Sequence, residues 1–184
     1  MRCLYIMLMV GMLLNSACAG KNEQTKKIKE ELRLFQEKAV ILPNNMLAKC
    51  IDNIEPNSSL LGKPLRMVVY RNAQDCGPCS ISSLLPLYLF ILENEQNENF
   101  GAIVILQPSN IEELDKSLKN LRFRRTVFYD LDGSFERLNP HLPKDERFHT
   151  FLLDENNKVI LVGYPVNNPK LKELYLKELN KKWK

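Results

Sequence analysis

Two almost unbroken apolar runs constrain the fold of this chain more than any other feature of its sequence. They extend from Leu65 to Tyr70 and from Ala102 to Leu106, and neither alternates between apolar and polar residues. Strands of this kind are buried on both faces, as at the centre of a parallel sheet. Between them, Ser80 to Glu95 carries apolar residues at helical spacing and is long enough for the crossover that a parallel pair requires. The three segments predict a βαβ unit.

The segments that follow extend this unit to a mixed sheet. A helix is predicted from Asn110 to Leu121, because Asn110 can cap its first turn and apolar residues recur at spacings of three and four. A strand is predicted at Thr126 to Tyr129, then a hairpin of Thr150 to Leu153 and Lys158 to Val162, then a closing helix from Pro169 to Leu179. The predicted fold class is α/β, a mixed sheet with helices on both faces.

The segment before this sheet is predicted to be a helical spacer followed by two short edge strands. The spacer, residues 21–37, is highly charged, but its apolar residues Ile28, Leu32 and Phe35 fall on one helical stripe. The edge strands are predicted at Val40 to Pro43 and at Met46 to Ile51. Turn-forming residues follow, so the central domain is predicted to begin near residue 60.

A pair of cysteines follows the first apolar run. Cys76-Gly77-Pro78-Cys79 stands between the predicted strand that ends at Tyr70 and the predicted helix that begins at Ser80. This position brings the first sulfur near a helix N-terminus, where unpaired backbone N–H groups and the helix dipole stabilise a thiolate. The thiolate is the species that attacks disulfides. A purely structural bridge across so short a loop would add little stability, so the motif is predicted to be a redox site.

The motif, with a strand before it and a helix after it, resembles the active site of the thioredoxin superfamily. The likeness extends over most of the chain, and the chain is most similar to the membrane-tethered thiol-disulfide oxidoreductases of the bacterial envelope. The resemblance implies a thioredoxin-like fold, with Cys76 as the attacking thiol and Cys79 as the resolving thiol. It implies protein thiols or disulfides as substrates, an unidentified redox partner and no cofactor. Gly77-Pro78 is the dipeptide associated with reducing members.

Two residues near the predicted site depart from the pattern of that superfamily. Its members normally carry a cis-proline, followed by Thr or a similar residue, that packs against the active-site disulfide. This chain has His149 and Thr150 at these two positions, so the resemblance implies that both belong to the active site together with Gly77 and Pro78. Because a non-proline cis bond costs about 2.5–4 kcal/mol, the bond before His149 is predicted to be trans. Asp75 stands where thioredoxins commonly have Trp. A carboxylate beside Cys76 would oppose thiolate formation, although Asp75 could equally cap the helix.

The histidine at this position leaves two interpretations open. A protonated imidazole would stabilise a nearby thiolate. Alternatively, Cys76, Cys79 and His149 could supply three ligands to Zn²⁺, which would make the chain a non-catalytic binding protein of the same fold. One distant histidine added to a C-x-x-C pair is an incomplete ligand set, so the metal site is the less favoured interpretation. The leftover thiol, Cys50, is predicted to be buried and inert.

The first residues indicate export to the cell envelope. A short basic start precedes an apolar stretch of eleven residues, Leu4 to Leu14, which is too short for a membrane-spanning helix of about 20 residues. Asn15 to Cys18 resembles the lipobox at which lipoprotein signal peptides are cleaved, so Cys18 is predicted to be lipidated. An ordinary secretory signal with cleavage nearby stays open.

The predicted organisation therefore has three parts. They are a lipoprotein signal peptide at residues 1–17, a lipid-anchored spacer helix and N-terminal extension at residues 18–59, and a thioredoxin-like domain at residues 60–184. The lipid would hold the domain on a membrane, facing the periplasm or the exterior. The net charge is +4, and neither positive nor negative residues dominate any long block of the folded part. Nucleic acid is therefore not an expected partner.

Overall fold

The computed structural model describes residues 23–72, 81–82 and 84–181. Within these ranges the strands are β1 (Leu47–Lys49), β2 (Leu65–Arg71), β3 (Phe100–Leu106), β4 (Val127–Tyr129), β5 (Thr150–Leu153) and β6 (Val159–Val162). The helices are α1 (residues 23–37), α2 (Leu84–Asn94), α3 (Ile111–Leu121), α4 (Ser134–Leu138) and α5 (Pro169–Leu179). Short 3₁₀ turns lie at Ile51–Asn53, Ser58–Gly62 and Glu146–Phe148.

The six strands form one mixed sheet in the order β1-β4-β3-β2-β5-β6. Strands β2, β3 and β4 run parallel, whereas β5 is antiparallel to β2, β6 to β5, and β1 to β4. The predicted βαβ unit is confirmed, with Leu65 of β2 opposite Phe100 of β3. The two crossovers, through α2 and α3, step the same way across the sheet. Because such connections are right-handed, both helices lie on the same face.

Alternate residues of β2 contribute to two cores, one on each side of the sheet. On one side, Val69 packs with Leu84 and with buried residues of α3 and α5, and we call this side the α2 face. On the other side, Tyr70 packs with Phe35 of α1 and Phe135 of α4, and we call this side the α1 face. Helices cover both faces, as predicted.

Residues before Leu60 are part of this structure. Strand β1 pairs with β4 at the sheet edge, and Lys49 in β1 forms an ion pair of 2.6 Å with Asp115 of α3. Phe35 at the end of α1 is fully buried and packs edge-to-face on Phe151 of β5, with 5.0 Å between the ring centroids. Most of the rest of α1 is exposed to solvent.

The prediction of a strand at Val40 to Pro43 is wrong. Ala39 forms only an isolated bridge with Lys158. The next backbone groups are held by a side chain instead of a strand, because the amide of Asn139 accepts from the N–H of Ile41 and donates to its carbonyl, both at 2.8 Å. A buried amide therefore provides the pairing that the prediction assigned to a neighbouring strand.

Helix α4 was not predicted, and its start depends on a buried carboxylate. Asp130 follows β4 and is 1% exposed. Its two oxygens accept from the N–H groups of Ser134 and Phe135, both at 2.9 Å, and also from the Ser134 hydroxyl at 2.8 Å. These bonds satisfy N–H groups of the first helical turn, which have no partner within the helix.

Among the helices in the described ranges, none combines the length and the apolar composition needed to cross a bilayer.

Candidate redox site

The carboxyl end of β2 meets the amino end of β5 at one edge of the sheet, which we call the β2–β5 edge. The backbone N–H of Tyr70 donates to the carbonyl of His149 at 2.9 Å, and Thr150 lies opposite Val69. Thr150 is buried, and its own carbonyl accepts from the N–H of Gly163 at 2.7 Å. The predicted site residues His149 and Thr150 therefore lie beside the end of the strand that leads into the cysteine motif.

The motif itself lies outside the described residues. It belongs to residues 73–80, which join Asn72, the residue after β2, to the helical residues 81 and 82. The predicted site residues that lie outside the described ranges are Cys18, Asp75, Cys76, Gly77, Pro78 and Cys79. Their roles stay predictions.

His149 is a buried residue, and only one of its two ring nitrogens has a hydrogen-bond partner within the part of the chain that the structure describes. It is 3% exposed, and its Nε2 lies 2.7 Å from the carbonyl oxygen of Pro143. A carbonyl can only accept, so we assign the proton to Nε2. Nδ1 is buried and has no hydrogen-bond partner among the described residues. The ring packs against Tyr70 with 5.5 Å between centroids, so it lies on the α1 face, opposite the side that receives Leu84 of α2.

The backbone at this histidine is ordinary. No cis peptide bond occurs in the described ranges, so the bond from Phe148 to His149 is trans, as predicted. His149 ends the 3₁₀ turn Glu146–Phe148, with its N–H donating to the carbonyl of Glu146 at 3.0 Å. The turn therefore places His149 directly before β5, with a trans peptide bond at the position where the superfamily has a cis-proline.

Burial favours the neutral form of this imidazole. Removal from water lowers the pKa of His149, and the nearby Arg71 charge lowers it further, against the opposing effect of the Pro143 carbonyl and of Glu136 and Glu146. A protonated His149 that stabilises a thiolate is therefore not the favoured state near neutral pH. The neutral ring offers a donor at Nε2 and an unprotonated Nδ1.

Arg71 is a charged residue of this edge that the sequence analysis missed. It ends β2, and its Nη1 donates to the carbonyl of Tyr70 at 2.8 Å. Its charge acts on His149 and also on the half-buried Tyr164, whose pKa is raised by burial against the lowering effect of Arg71. A cation at this position favours thiolate over thiol in its neighbourhood. The signal was present in the sequence, as a cation at the end of an apolar run just ahead of the cysteines.

A cavity of about 350 Å³ lies beside His149. Its lining residues are Asn72, Glu136, Asn139, Pro140, Leu142, Pro143, Lys144 and His149. The cavity thus reaches from the imidazole to the residue at which the chain enters the motif segment, and its wall includes carboxylate, ammonium and amide groups. Such a surface can hydrogen-bond a polar segment of a protein substrate.

Two further predicted features are a metal site and the thiol of Cys50. Among the described residues, no group of three His, Cys, Asp or Glu side chains is arranged to hold a metal ion, and the set Cys76, Cys79 and His149 includes two residues outside them. Cys50 is half-buried rather than buried, because it borders two open cavities beside the edge strand β1. Partial burial raises the pKa of its thiol, which reduces the thiolate available for exchange.

Solved structures of other proteins share this fold. A protein described as the thiol:disulfide interchange protein DsbE from Chlorobium tepidum has a TM-score of 0.55 and 20% identity, covering 78% of this chain and 98% of that one. The thioredoxin domain of a thiol-disulfide oxidoreductase from Bacteroides vulgatus has a TM-score of 0.52 and 14% identity, covering 66% and 83%. A protein described as a disulfide isomerase from Bacteroides thetaiotaomicron has a TM-score of 0.52 and 19% identity, covering 78% and 90%.

No family model and no curated protein matches the sequence. Likeness to solved structures at this level of identity is evidence of the fold. The chain has the predicted thioredoxin-like α/β fold.

Proposed function

We propose that this chain is a thiol-disulfide oxidoreductase that exchanges disulfides through Cys76 and Cys79. The observation that supports this most is the sequence position of the pair, in the segment that joins the end of β2 to α2 of a thioredoxin-like sheet. Structural neighbours described as a thiol-disulfide oxidoreductase and a thiol:disulfide interchange protein support the same chemistry. The substrates would be protein thiols or disulfides.

The exchange has two steps. The Cys76 thiolate attacks one sulfur of a substrate disulfide, so a Cys76–substrate disulfide forms and the other substrate sulfur leaves as a thiolate. The Cys79 thiolate then attacks the Cys76 sulfur, so the Cys76–Cys79 disulfide forms and the second substrate thiolate leaves. The substrate gains two electrons, the cysteine pair loses two, and the two thiol protons pass through solvent to the released thiolates. A redox partner would reverse the oxidation of the pair.

The charges near the motif would set how readily Cys76 ionises. Arg71 at the end of β2 favours the thiolate, and the adjacent carboxylate of Asp75 would oppose it. Because burial keeps His149 neutral, that residue adds no positive charge at neutral pH. The thiol would therefore depend on Arg71 and on the start of the following helix for its activation.

We further propose that the chain works in the cell envelope. Residues 1–17 would be removed, Cys18 would carry the lipid, and α1 would connect it to a folded domain that includes the edge strand β1 as well as residues 60–184. The largely exposed surface of α1 supports its role as a connecting element. The domain would face the periplasm or the exterior.

A second candidate is a non-catalytic lipoprotein that binds metal through Cys76, Cys79 and His149. The Nδ1 atom of His149 favours it, because this buried nitrogen has no partner among the described residues and an imidazole nitrogen without a proton can ligate zinc. The packing of the ring on the α1 face, away from Leu84, weighs against it. Metal content of the purified chain, compared with that of His149→Ala, distinguishes the two candidates.

Trapping of a substrate tests the proposed activity directly. Cys79→Ser removes the resolving thiol, so Cys76 should stay joined to its substrates in complexes that a reductant releases. Cys76→Ser is the matched control and should retain none. The proposal is overturned if Cys79→Ser yields no reducible complex while the wild-type chain folds normally.

A further inference from the structure

Helix α1 contacts the loop that follows α4 as well as the core. At its carboxyl end, Phe35 packs on Phe151 and lies 5.9 Å from the ring of His141. One turn earlier, a carboxylate oxygen of Glu31 accepts from the backbone N–H of Lys144 at 2.8 Å. The helix is thus fastened to the loop by an aromatic contact and by a hydrogen bond to a charged group.

The Lys144 N–H belongs to the same peptide unit as the Pro143 carbonyl, which accepts a hydrogen bond from the His149 ring. The Pro143 oxygen accepts from Nε2 of His149 at 2.7 Å, and the N–H on the other side of that planar unit donates to Glu31. Hydrogen bonds in series polarise one another, so a carboxylate on the N–H makes the carbonyl a stronger acceptor. One rigid peptide therefore connects a charge on α1 to the buried imidazole.

We propose that Glu31 is a positioning residue of the redox site, acting through the Pro143–Lys144 peptide to hold His149 with its proton on Nε2. The consequence for exchange rests on the proposed function. A change at His149 would reach the cysteine segment through the backbone. The carbonyl of His149 accepts a hydrogen bond from the N–H of Tyr70, which lies in β2 just before that segment. A displaced His149 therefore displaces the end of β2.

The tautomer depends on this peptide because His149 has no other described partner for its ring nitrogens. Nδ1 is already buried, and no described residue forms a hydrogen bond with it. If the peptide turned away, both nitrogens would be buried without a hydrogen bond, and the ring would be free to change tautomer or orientation. The connecting helix therefore affects the redox site as well as the distance of the domain from the membrane.

Helix α1 offers a matched control for this proposal. Glu30 is adjacent, carries the same charge and is exposed, but its carboxylate pairs with Arg33 of the same helix at 2.6 Å. Glu30→Ala therefore removes one negative charge from α1 without touching the loop. Glu31→Gln keeps an acceptor oxygen and should restore most of what Glu31→Ala loses.

The experiment compares Glu31→Ala, Glu31→Gln and Glu30→Ala in the full chain, labelled with ¹⁵N in histidine and at the backbone. In Glu31→Ala, exchange of the Lys144 amide hydrogen should accelerate roughly tenfold, as expected for one lost charge-assisted hydrogen bond. The ¹⁵N shifts of the His149 ring should move away from those of a pure Nε2–H tautomer, while those of His141 should change less. Glu30→Ala should match the wild type in both.

The rate of reduction of a disulfide-linked model peptide by the chain should also fall roughly two- to fivefold in Glu31→Ala and not in Glu30→Ala. Equal ring shifts and equal rates in Glu31→Ala and Glu30→Ala would overturn the inference. If the wild-type chain reduces no disulfide at all, the proposed function fails, and the ring shifts still decide whether Glu31 controls His149.

Discussion

The backbone N–H of Tyr70 donates to the carbonyl oxygen of His149 at 2.9 Å and fastens the end of β2 to the start of β5. The same residues also meet through their rings, 5.5 Å apart, and the Tyr70 ring packs on Phe135 at 4.8 Å. The Tyr70 hydroxyl donates to the side-chain oxygen of Gln107 at 3.0 Å. The strand that leads into the cysteine segment therefore ends in a tightly packed aromatic cluster.

A first prediction concerns the carboxylate that starts α4, the helix that carries Phe135. Asp130→Ala should lower the free energy of unfolding by about 2–4 kcal/mol, because it leaves the buried N–H of Phe135 without its partner and removes the shorter of the two hydrogen bonds that the N–H of Ser134 donates. Urea unfolding of the purified variant measures the loss. Asp132→Ala, on the same turn but exposed, should cost less, and an equal loss in both variants would contradict the role of Asp130.

A second prediction concerns the charge at the end of β2. Arg71→Met should raise the pKa of the attacking thiol, so alkylation of Cys76 by iodoacetamide at pH 7 should slow by roughly two- to fivefold. Arg137→Met is the control, since Arg137 is an exposed cation paired with Asp132. Unchanged alkylation in Arg71→Met would show that its charge does not act on the motif.

A third prediction follows from the lowered pKa of His149. The folded state holds the imidazole neutral, whereas the unfolded chain binds a proton near the ordinary pKa of about 6.5. The stability that the neutral ring contributes is therefore present above about pH 6.5 and is lost as the pH falls toward the lower pKa of the folded state. The free energy of unfolding should decrease from pH 7 to pH 5.

His149→Gln should flatten this pH dependence, because glutamine keeps an N–H donor but does not titrate. Burial and Lys38 also lower the pKa of His141, so His141→Gln provides the comparison for the only other histidine. Urea unfolding at both pH values checks the prediction. A pH slope in His149→Gln as steep as in the wild type would refute the assignment.

The parts of the fold that depend on local pattern could be predicted from the sequence. The predicted cap of α3 is confirmed, since the side chain of Asn110 accepts from the N–H of Glu113, and α5 has the predicted bounds Pro169–Leu179. The hairpin of β5 and β6 follows from its apolar strands and its polar turn. Helix α4 escaped prediction because it is short and its first turn needs Asp130, which is identifiable only in the folded chain.

For the candidate site, the sequence could identify His149 as the residue in place of the proline but could not predict its surroundings. The face on which its ring lies, its bond to Pro143 and the approach of Glu31 all depend on tertiary packing. Glu31 and Lys144 are 113 residues apart in the chain, and neither belongs to a recognisable motif. Periodicity carries no information on contacts of that kind.

A fourth prediction concerns the membrane anchor. Expressed in a bacterium fed a labelled fatty acid, the wild-type chain should incorporate label and sediment with membranes, whereas Cys18→Ser should do neither. Cys3→Ser should behave as the wild type, because Cys3 lies within the predicted signal peptide. Label retained in Cys18→Ser would place the modification elsewhere.

The most direct measurement is a redox titration of the full chain, in which alkylated cysteines are counted and located by mass across a series of thiol-disulfide buffers. We expect Cys76 and Cys79 to change together, in one reversible two-thiol transition between about −120 and −270 mV, the range of working oxidoreductases. Cys50 should not take part. A Cys76–Cys79 bridge that stays closed well below this range, or a pair protected from alkylation by a co-purifying metal, would contradict the proposed function.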